Sequence, residues 1–283
     1  MSRSTPTPLA GRTAVITGAG SGIGRSLAQR LCAHGCPLAL VDANGETLAD
    51  TARMLDGPTL VRALDVRDRD GLLAFAGEVR EWSPAPLGAV FNNAGITHGS
   101  ELAGGSREDD ERVMAINFGG VVNGVHAFLP TLLEQHEGAM VNTSSIFGFV
   151  GVRHQLAYCA SKFAVRGLTD ALRQELQGSG VRAVIVHPGG IKTNITRNSP
   201  ARQGDERTEE ERAAAFNARA RTTPEQAAEA IHRGLDAGKT RILVGRDAHI
   251  VDALARVTPT HTVGILEALE RLGAGRARRA TRG

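Results

Sequence analysis

The chain has 283 residues with a formal net charge of +3, and 41% of its residues are hydrophobic, which is typical of a globular protein large enough to bury a core. No apolar run of about 18 residues occurs and the N-terminal residues lack the apolar segment of a secretory signal, so we expect neither membrane insertion nor secretion. The chain has only three cysteines, which argues against a disulfide framework and favours a cytoplasmic location. Because no cluster of further Cys or His ligands accompanies them, we expect no metal site.

Short apolar runs alternate with amphipathic stretches of helical length along the chain. The apolar runs are residues 13–17, 38–42, 60–65, 88–93, 139–144, 182–188 and 241–245. The helical stretches are residues 23–34, 46–55, 69–81, 107–135, 155–178 and 224–237. Because the runs are apolar throughout, they predict a doubly wound α/β domain over residues 10–246, with a seven-stranded parallel sheet and helices on both faces.

Two regions depart from this alternation. Residues 194–222 are polar and charged, and an insertion of this length between a strand and a helix predicts a lid over a substrate. Residues 247–283 predict a C-terminal helical extension that is broken at Pro259 and ends in a basic tail. Since residues 276–283 hold four arginines but no aromatic residue, we expect a solvated tail and no nucleic-acid partner.

A glycine-rich turn, TGAGSGIG, follows the first predicted strand and opens a helix at Thr17–Gly24. Glycines here allow a tight turn, a close approach of the backbone to a pyrophosphate, and close packing of the helix on the sheet. The N–H groups at the start of the helix would then bind the phosphates. The turn predicts a dinucleotide site.

The second predicted strand ends at Asp42, 18 residues after Gly24. A carboxylate at this place accepts hydrogen bonds from the adenosine ribose and repels a 2′-phosphate. Neither Ala43 nor Asn44, which follow, is basic. We therefore expect NAD rather than NADP, although a helix-capping role for Asp42 is compatible with the same position.

The stretch YCASK places the single tyrosine of the chain, Tyr158, four residues before Lys162, one of three lysines. In a helix this spacing puts both side chains on one face. The pair is compatible with an ordinary helix surface. It is also compatible with a phenol whose pKa is lowered by an ammonium group one turn away.

Seven motifs in order make the chain resemble the short-chain dehydrogenase/reductase family over residues 10–245. They are TGAGSGIG (17–24), the pair Asp65-Val66, NNAG (92–95), Asn117, the serines of VNTSS, YCASK (158–162) and PGGIKT (188–193). The resemblance implies a Rossmann-type fold that binds NAD(P), an oxidoreductase activity, and a homo-oligomer, either a tetramer or a dimer, built around the helices of 107–135 and 155–178.

The resemblance also implies a set of cofactor contacts. They are Gly18, Ser21, Gly22, Ile23, Gly24, Asp42, Asp65, Val66, Asn92, Ala94, Gly95, Tyr158, Lys162, Pro188, Gly189, Ile191 and Thr193. In this assignment Asp65 binds the adenine, while Ile191 and Thr193 contact the nicotinamide.

A catalytic tetrad of Asn117, Ser145, Tyr158 and Lys162 is implied in the same way. Ser145 is preferred to Ser144 because the family's serine stands 13 residues before the tyrosine. Tyr158 would act as general acid or base with a pKa lowered by Lys162 and by the positive nicotinamide of the oxidised cofactor. Ser145 would steady the substrate oxygen, and Asn117 would hold a water that relays protons.

The segment between Ser145 and Tyr158 should line the substrate pocket. Its apolar residues are Ile146, Phe147, Phe149, Val150, Val152 and Leu156, and His154 is a polar candidate. With Ser145, Phe147, Val152, His154 and Tyr158 as substrate contacts, we expect a hydrophobic secondary alcohol or ketone. Two alternatives stay open, an NADPH-dependent 3-oxoacyl-carrier-protein-type reductase and a non-catalytic cofactor-binding regulator.

Overall fold

The central feature of the fold is one parallel sheet. The computed structural model describes residues 8–99, 105–193 and 220–266, together with residues 208, 210, 211, 214, 218 and 268. The strands are β1 (Thr13–Thr17), β2 (Leu38–Asp42), β3 (Thr59–Ala63), β4 (Leu87–Asn92), β5 (Gly138–Thr143), β6 (Val181–Pro188) and β7 (Arg241–Val244). Their spatial order is β3-β2-β1-β4-β5-β6-β7 and every pairing is parallel, so the predicted seven-stranded sheet is confirmed.

Helices connect successive strands and cover both faces of the sheet, as predicted. They are α1 (Gly22–Cys32), α2 (Gly45–Arg53), α3 (Arg69–Trp82), α4 (Arg107–Met114), α5 (Gly120–Gln135), α6 (Leu156–Glu175), α7 (Pro224–Asp236) and α8 (Arg246–Val257). Leu27, Leu48 and Ile231, from α1, α2 and α7, join one buried cluster. Phe75 and Phe128, from α3 and α5, meet edge-to-face in a second cluster.

Burial on both faces explains why the strands are apolar throughout. Ile16 of β1 belongs to the first cluster, whereas its neighbour Val15 belongs to the second. Neither side chain is exposed to solvent. Because successive strand residues point to opposite faces, a strand that is covered on both sides needs apolar side chains at every position.

The helix that runs from Arg107 to Gln135 is long and apolar enough by composition to cross a membrane. Its apolar side chains are instead buried in the protein core, where Val121, Phe128 and Leu132 pack in the second cluster against the sheet. Between α4 and α5 the helix widens into a π-helical turn at Ala115–Gly119. Such turns often occur at functional sites.

The C-terminal extension packs on the domain. Helix α8 contacts β7 and the short 3₁₀ turn at Ile146–Gly148, and Val251 packs with Phe149 and Val150. Residues 262–266 are also helical. The predicted lid lies largely outside the described residues, and the basic tail lies wholly outside them. At the end of the predicted lid, Thr222 pairs with Ile191.

A test of this packing uses Gly124 of α5. A methyl group there would overlap Oδ1 of the buried Asn92, an atom with no hydrogen-bond partner among the described residues. Gly124→Ala is therefore expected to destabilise the fold by about 1–3 kcal/mol in urea unfolding, despite the better helix propensity of alanine. The control is Gly77→Ala in α3, where a methyl group meets nothing within 4 Å. Unfolding of both variants at the same urea concentration would contradict the close packing of Gly124 in α5 against Asn92 in β4.

Candidate active site

A large cleft lies at the carboxyl ends of the strands, where parallel α/β sheets bind their ligands. Its volume is about 1250 Å³. Residues that follow β1, β2, β4, β5 and β6 line it, together with residues of α6. The sheet therefore brings together motifs that are up to about 175 residues apart in sequence, such as Gly18 and Thr193.

The glycine turn after β1 forms one wall of the cleft. Gly18 has a φ of +68°, and a Cβ atom there would lie 2.8 Å from the Cα atom of Ala94. Ser21, Gly22 and Ile23 line the cleft at the start of α1, and Ser21 makes no side-chain capping bond to that helix. The N–H groups at the start of α1 thus face a space that suits a pyrophosphate.

The position of Gly24 differs from those of Gly18 and Gly22, which line the cleft. Gly24 does not line the cleft, and a Cβ atom there would overlap the carbonyl oxygen of Gly18. Its role in the structure is to let α1 pack closely against the turn.

Asp42 lies beside the glycine turn and lines the cleft. Its Oδ2 accepts a hydrogen bond from the Gly20 N–H at 2.9 Å, and its Oδ1 accepts one from the Asn44 N–H at 2.9 Å. The residue that caps α2 is Asn44, whose side chain accepts from the Thr47 N–H at 3.0 Å. Asp42 therefore does not cap the helix, and its remaining lone pairs can accept ribose hydroxyl groups.

The end of the cleft around Asp65 contains two arginines, Arg67 and Arg112, that the motifs do not include. Asp65 accepts two hydrogen bonds from the guanidinium of Arg67, at 2.6 and 3.0 Å, which lower the pKa of the carboxyl group. Val66, Arg67 and Arg112 line the cleft nearby. Arg67 follows the motif pair directly, whereas Arg112 comes from α4 and reaches this end of the cleft only in the folded chain.

Some residues of the NNAG motif line the cleft, whereas Asn92 is buried in the core. Ala94 and Gly95 line the cleft, as does Asn93, whose side chain donates to the Thr17 carbonyl at 3.2 Å. Asn92 does not line it: its side chain is buried and donates to Asn142 Oδ1 at 2.8 Å. Asn92 thus joins β4 to β5 beneath the cleft.

Ser145, Tyr158 and Lys162 meet on one side of the cleft, and all three are at least nine-tenths buried. The Ser145 side chain lies close enough to Tyr158 to lower the pKa of the phenol, and its Oγ accepts a hydrogen bond from the Phe147 N–H at 3.1 Å. The Nζ atom of Lys162 lies 5.7 Å from the centre of the Tyr158 ring and donates to the Thr143 carbonyl at 3.0 Å. The helical spacing of the YCASK motif therefore places the phenol and the ammonium group together inside the cleft.

The acid–base properties of this pair differ from the expectation that Lys162 lowers the tyrosine pKa. Burial raises the pKa of Tyr158 to about 12, against a smaller lowering by the Ser145 hydrogen bond. Burial also lowers the pKa of Lys162 to about 8. Removal from water disfavours both charged forms, and this effect outweighs the attraction between them.

Ser144 and Ser145 are adjacent in sequence but contact different parts of the structure. The Ser144 hydroxyl donates to the Lys162 carbonyl at 2.8 Å, behind the cleft. The carbonyl of Ser145 lies 3.0 Å from Nδ1 of His187, whose pKa is lowered to about 4, mainly by burial. A neutral His187 can donate to that carbonyl, which fixes the backbone that carries the Ser145 hydroxyl.

Asn117 lies in the π-helical turn with its side chain fully buried. Its Oδ1 accepts from the Ile96 N–H at 2.8 Å, and its Nδ2 donates to the Ile96 carbonyl at 2.9 Å and to Ser161 Oγ at 3.1 Å. The side chain is thus committed to the loop after β4 and to α6, and it does not line the cleft.

The segment between Ser145 and Tyr158 contributes only part of its apolar residues to the cleft. Phe147 and Val152 line it, whereas Phe149 and Val150 are buried against α8. His154 is exposed, has a left-handed φ of +62° and does not line the cleft. Ile146, Arg153 and Gln155 of the same segment also line the cleft, as do Ile96 and Thr97 after β4, so the lining is polar as well as apolar.

The loop after β6 forms the remaining wall. Pro188, Gly189, Gly190, Ile191 and Thr193 line the cleft. The methyl carbon of Thr193 would lie 3.1 Å from a Cβ atom on Gly22, so this loop closes against the glycine turn. Phosphate-facing N–H groups, a ribose-facing carboxylate and this loop together fit a nicotinamide dinucleotide.

Comparison with known proteins agrees with this geometry. The family model for short chain dehydrogenase matches residues 12–204. SadH of Mycobacterium tuberculosis, named as an oxidoreductase, is 43% identical over 256 residues, which are 87% of this chain and 91% of SadH. The 2-(R)-hydroxypropyl-CoM dehydrogenase of Xanthobacter autotrophicus is 38% identical over 194 residues, which are 66% of this chain and 77% of that protein.

A solved structure shows the same architecture with a cofactor. The short-chain dehydrogenase/reductase of Burkholderia phymatum in complex with NAD superposes with a TM-score of 0.79 at 27% identity, covering 93% of this chain and 96% of that chain. The chain belongs to the short-chain dehydrogenase/reductase family of Rossmann-fold oxidoreductases that bind NAD or NADP.

Proposed function

We propose that the protein is an NAD-dependent oxidoreductase that interconverts a hydrophobic secondary alcohol and its ketone, with Tyr158 as the general acid and base. The observation that carries the proposal is the convergence of Ser145, Tyr158 and Lys162 in the cleft that the cofactor-binding motifs line. The bound dinucleotide supplies or accepts the hydride. The protein must orient the substrate and move one proton.

The phenol of Tyr158 would donate its proton to the ketone oxygen during reduction and take it back during oxidation. Its high pKa in the ligand-free cleft keeps the proton in place before reaction. Ser145, which lies beside the phenol in the cleft, would hold the same substrate oxygen. Fixed donors around an oxygen that gains charge stabilise the transition state in a site shielded from water.

Lys162 would connect Tyr158 to the cofactor and to exchangeable protons. Its ammonium group has three N–H donors, and one of them is used on the Thr143 carbonyl. Two remain for a ribose hydroxyl and for the phenol. With a pKa of about 8, the amine can also gain and lose a proton near neutral pH. Asn117 is a positioning residue here, because its side chain fixes Ile96 in the loop after β4.

The preference for NAD is supported by Asp42. Its carboxylate lines the cleft beside the glycine turn. A 2′-phosphate at this place would bring a second negative charge close to the carboxylate, with a repulsion of about 1 kcal/mol or more depending on the local dielectric. The ribose hydroxyls of NAD would instead donate to it.

The proposed substrate class is supported by the cleft wall and by one relative. Ile96, Phe147 and Val152 form an apolar surface near Ser145 and Tyr158. The Xanthobacter relative is named for the oxidation of a 2-hydroxypropyl group, which is a secondary alcohol. The polar side chains of Thr97 and Gln155, which are hydrogen-bonded to each other at 2.9 Å, add a polar patch to this wall.

The role of Tyr158 is tested by Tyr158→Phe. Loss of the proton donor should lower turnover of secondary alcohols by about 10²-fold or more, while the binding of NADH should be unchanged. Cys159→Ala is the matched control, since Cys159 is the buried neighbour in the same helix and does not line the cleft. Near-full activity of the phenylalanine variant in stopped-flow assays would rule out the proposed mechanism.

The role of Asp42 is tested by Asp42→Asn, which keeps the size of the side chain and removes its charge. The ratio of kcat/KM for NAD to that for NADP should fall about tenfold or more, because the repulsion of the 2′-phosphate is lost. Asp50→Asn, on the exposed side of α2, makes the same change in net charge outside the cleft and should leave the ratio unchanged. A wild-type enzyme that prefers NADP would contradict the assignment.

A further inference from the structure

Helix α8, which belongs to the C-terminal extension, reaches the cleft through one carboxylate. Asp247, in the first turn of α8, accepts a hydrogen bond from the Gly190 N–H at 2.6 Å. Gly190 lines the cleft in the loop after β6. None of the motifs of the chain includes Asp247.

Two glycines leave room for this carboxylate. A Cβ atom on Gly189 would overlap both carboxylate oxygens of Asp247. Gly245 has a φ of +93°, and a Cβ atom there would lie 2.5 Å from Asp247 Oδ1. The carboxylate therefore fills a space bounded by the loop after β6 on one side and by the end of β7 on the other.

Other main-chain bonds hold the neighbouring peptides of the same loop. The Gly189 N–H donates to the Val244 carbonyl at 2.9 Å, and the Lys192 N–H donates to the Thr222 carbonyl at 2.9 Å. Between them, the Gly190 N–H is held by the side chain of Asp247. The carboxylate thus supplies a short hydrogen bond in the middle of the loop, beside the longer one of 3.4 Å that the Thr222 N–H donates to the Gly190 carbonyl.

This loop starts beside the reacting groups. The Ser144 N–H donates to the Val186 carbonyl at 2.8 Å, and His187 contacts the Ser145 carbonyl. A shift of the loop would therefore move one wall of the cleft relative to Ser145 and Tyr158.

We propose that Asp247 is a positioning residue for the nicotinamide half of the cofactor, and that it makes the C-terminal helix part of the cofactor site. This inference rests on the proposed function, since it requires a nicotinamide dinucleotide in the cleft. A hydrogen bond to a charged acceptor is stronger than a neutral one, so Asp247 fixes the loop more firmly than a neutral side chain would.

A purely structural explanation makes a different prediction. An acidic residue in the first turn stabilises a helix through the helix dipole. Loss of that effect would destabilise α8 but would not weaken the binding of the nicotinamide half more than that of the adenosine half. The two explanations are separated by comparing NADH with ADP-ribose, which lacks the nicotinamide.

The experiment measures binding of NADH and of ADP-ribose to the full chain by calorimetry, for wild type and Asp247→Ala. The variant is expected to bind NADH about tenfold more weakly or worse, the usual effect of losing one hydrogen bond to a charged group. Its affinity for ADP-ribose should stay within about twofold of wild type. Asp247→Asn keeps an acceptor oxygen, so its affinity for NADH should lie between those of wild type and the alanine variant. If the alanine variant does not fold, the comparison of NADH with ADP-ribose is made with Asp247→Asn.

The matched control is Asp252→Ala. Asp252 lies on the same helix, where it pairs with Arg241 and Arg256, and does not line the cleft. Equal losses of NADH and ADP-ribose binding in the Asp247 variants, no loss of either, or the same loss in Asp252→Ala would each overturn the inference. Failure of the wild-type protein to bind both ligands would instead contradict the proposed function.

Discussion

Parallel pairing of all seven strands is the constraint on which the site depends, because it places every carboxyl end at one edge of the sheet. The glycine turn after β1, the carboxylate at the end of β2, the serine after β5 and the loop after β6 meet there without any local signal that joins them. Parallel pairing in turn requires helices on both faces. The two buried clusters that make the strands apolar throughout therefore also determine where the ligands bind.

Burial has a second effect on the reacting groups. The same desolvation raises the pKa of Tyr158 and lowers that of Lys162, so the ligand-free cleft keeps the phenol protonated. To act as the base in alcohol oxidation the phenol must first lose its proton, which then needs positive charge beyond that of Lys162. The oxidised nicotinamide is the group in the proposed reaction that carries such a charge, which would couple cofactor binding to proton transfer.

Strand and helix positions could be predicted to within about three residues, because hydrophobic periodicity depends mainly on local geometry. Motif residues such as Asp42 and Tyr158 also lie in the cleft. The sequence could not show that Asn92 points into the core, or that Phe149 packs on the C-terminal helix, because a residue's face depends on tertiary packing. Asp247 likewise acquires its contact with the loop after β6 only in the fold. The oligomeric state and the substrate stay predictions.

The central claim, that Tyr158 is a proton donor controlled by the cofactor, can be tested through its own absorbance, since it is the single tyrosine of the chain. The measurement is an ultraviolet pH titration of tyrosinate with and without saturating NAD⁺, with Tyr158→Phe as the baseline that removes the contribution of Trp82. The account predicts a pKa of about 12 in the ligand-free protein and a clearly lower pKa with NAD⁺. An ionisation that is unchanged by NAD⁺ would contradict it.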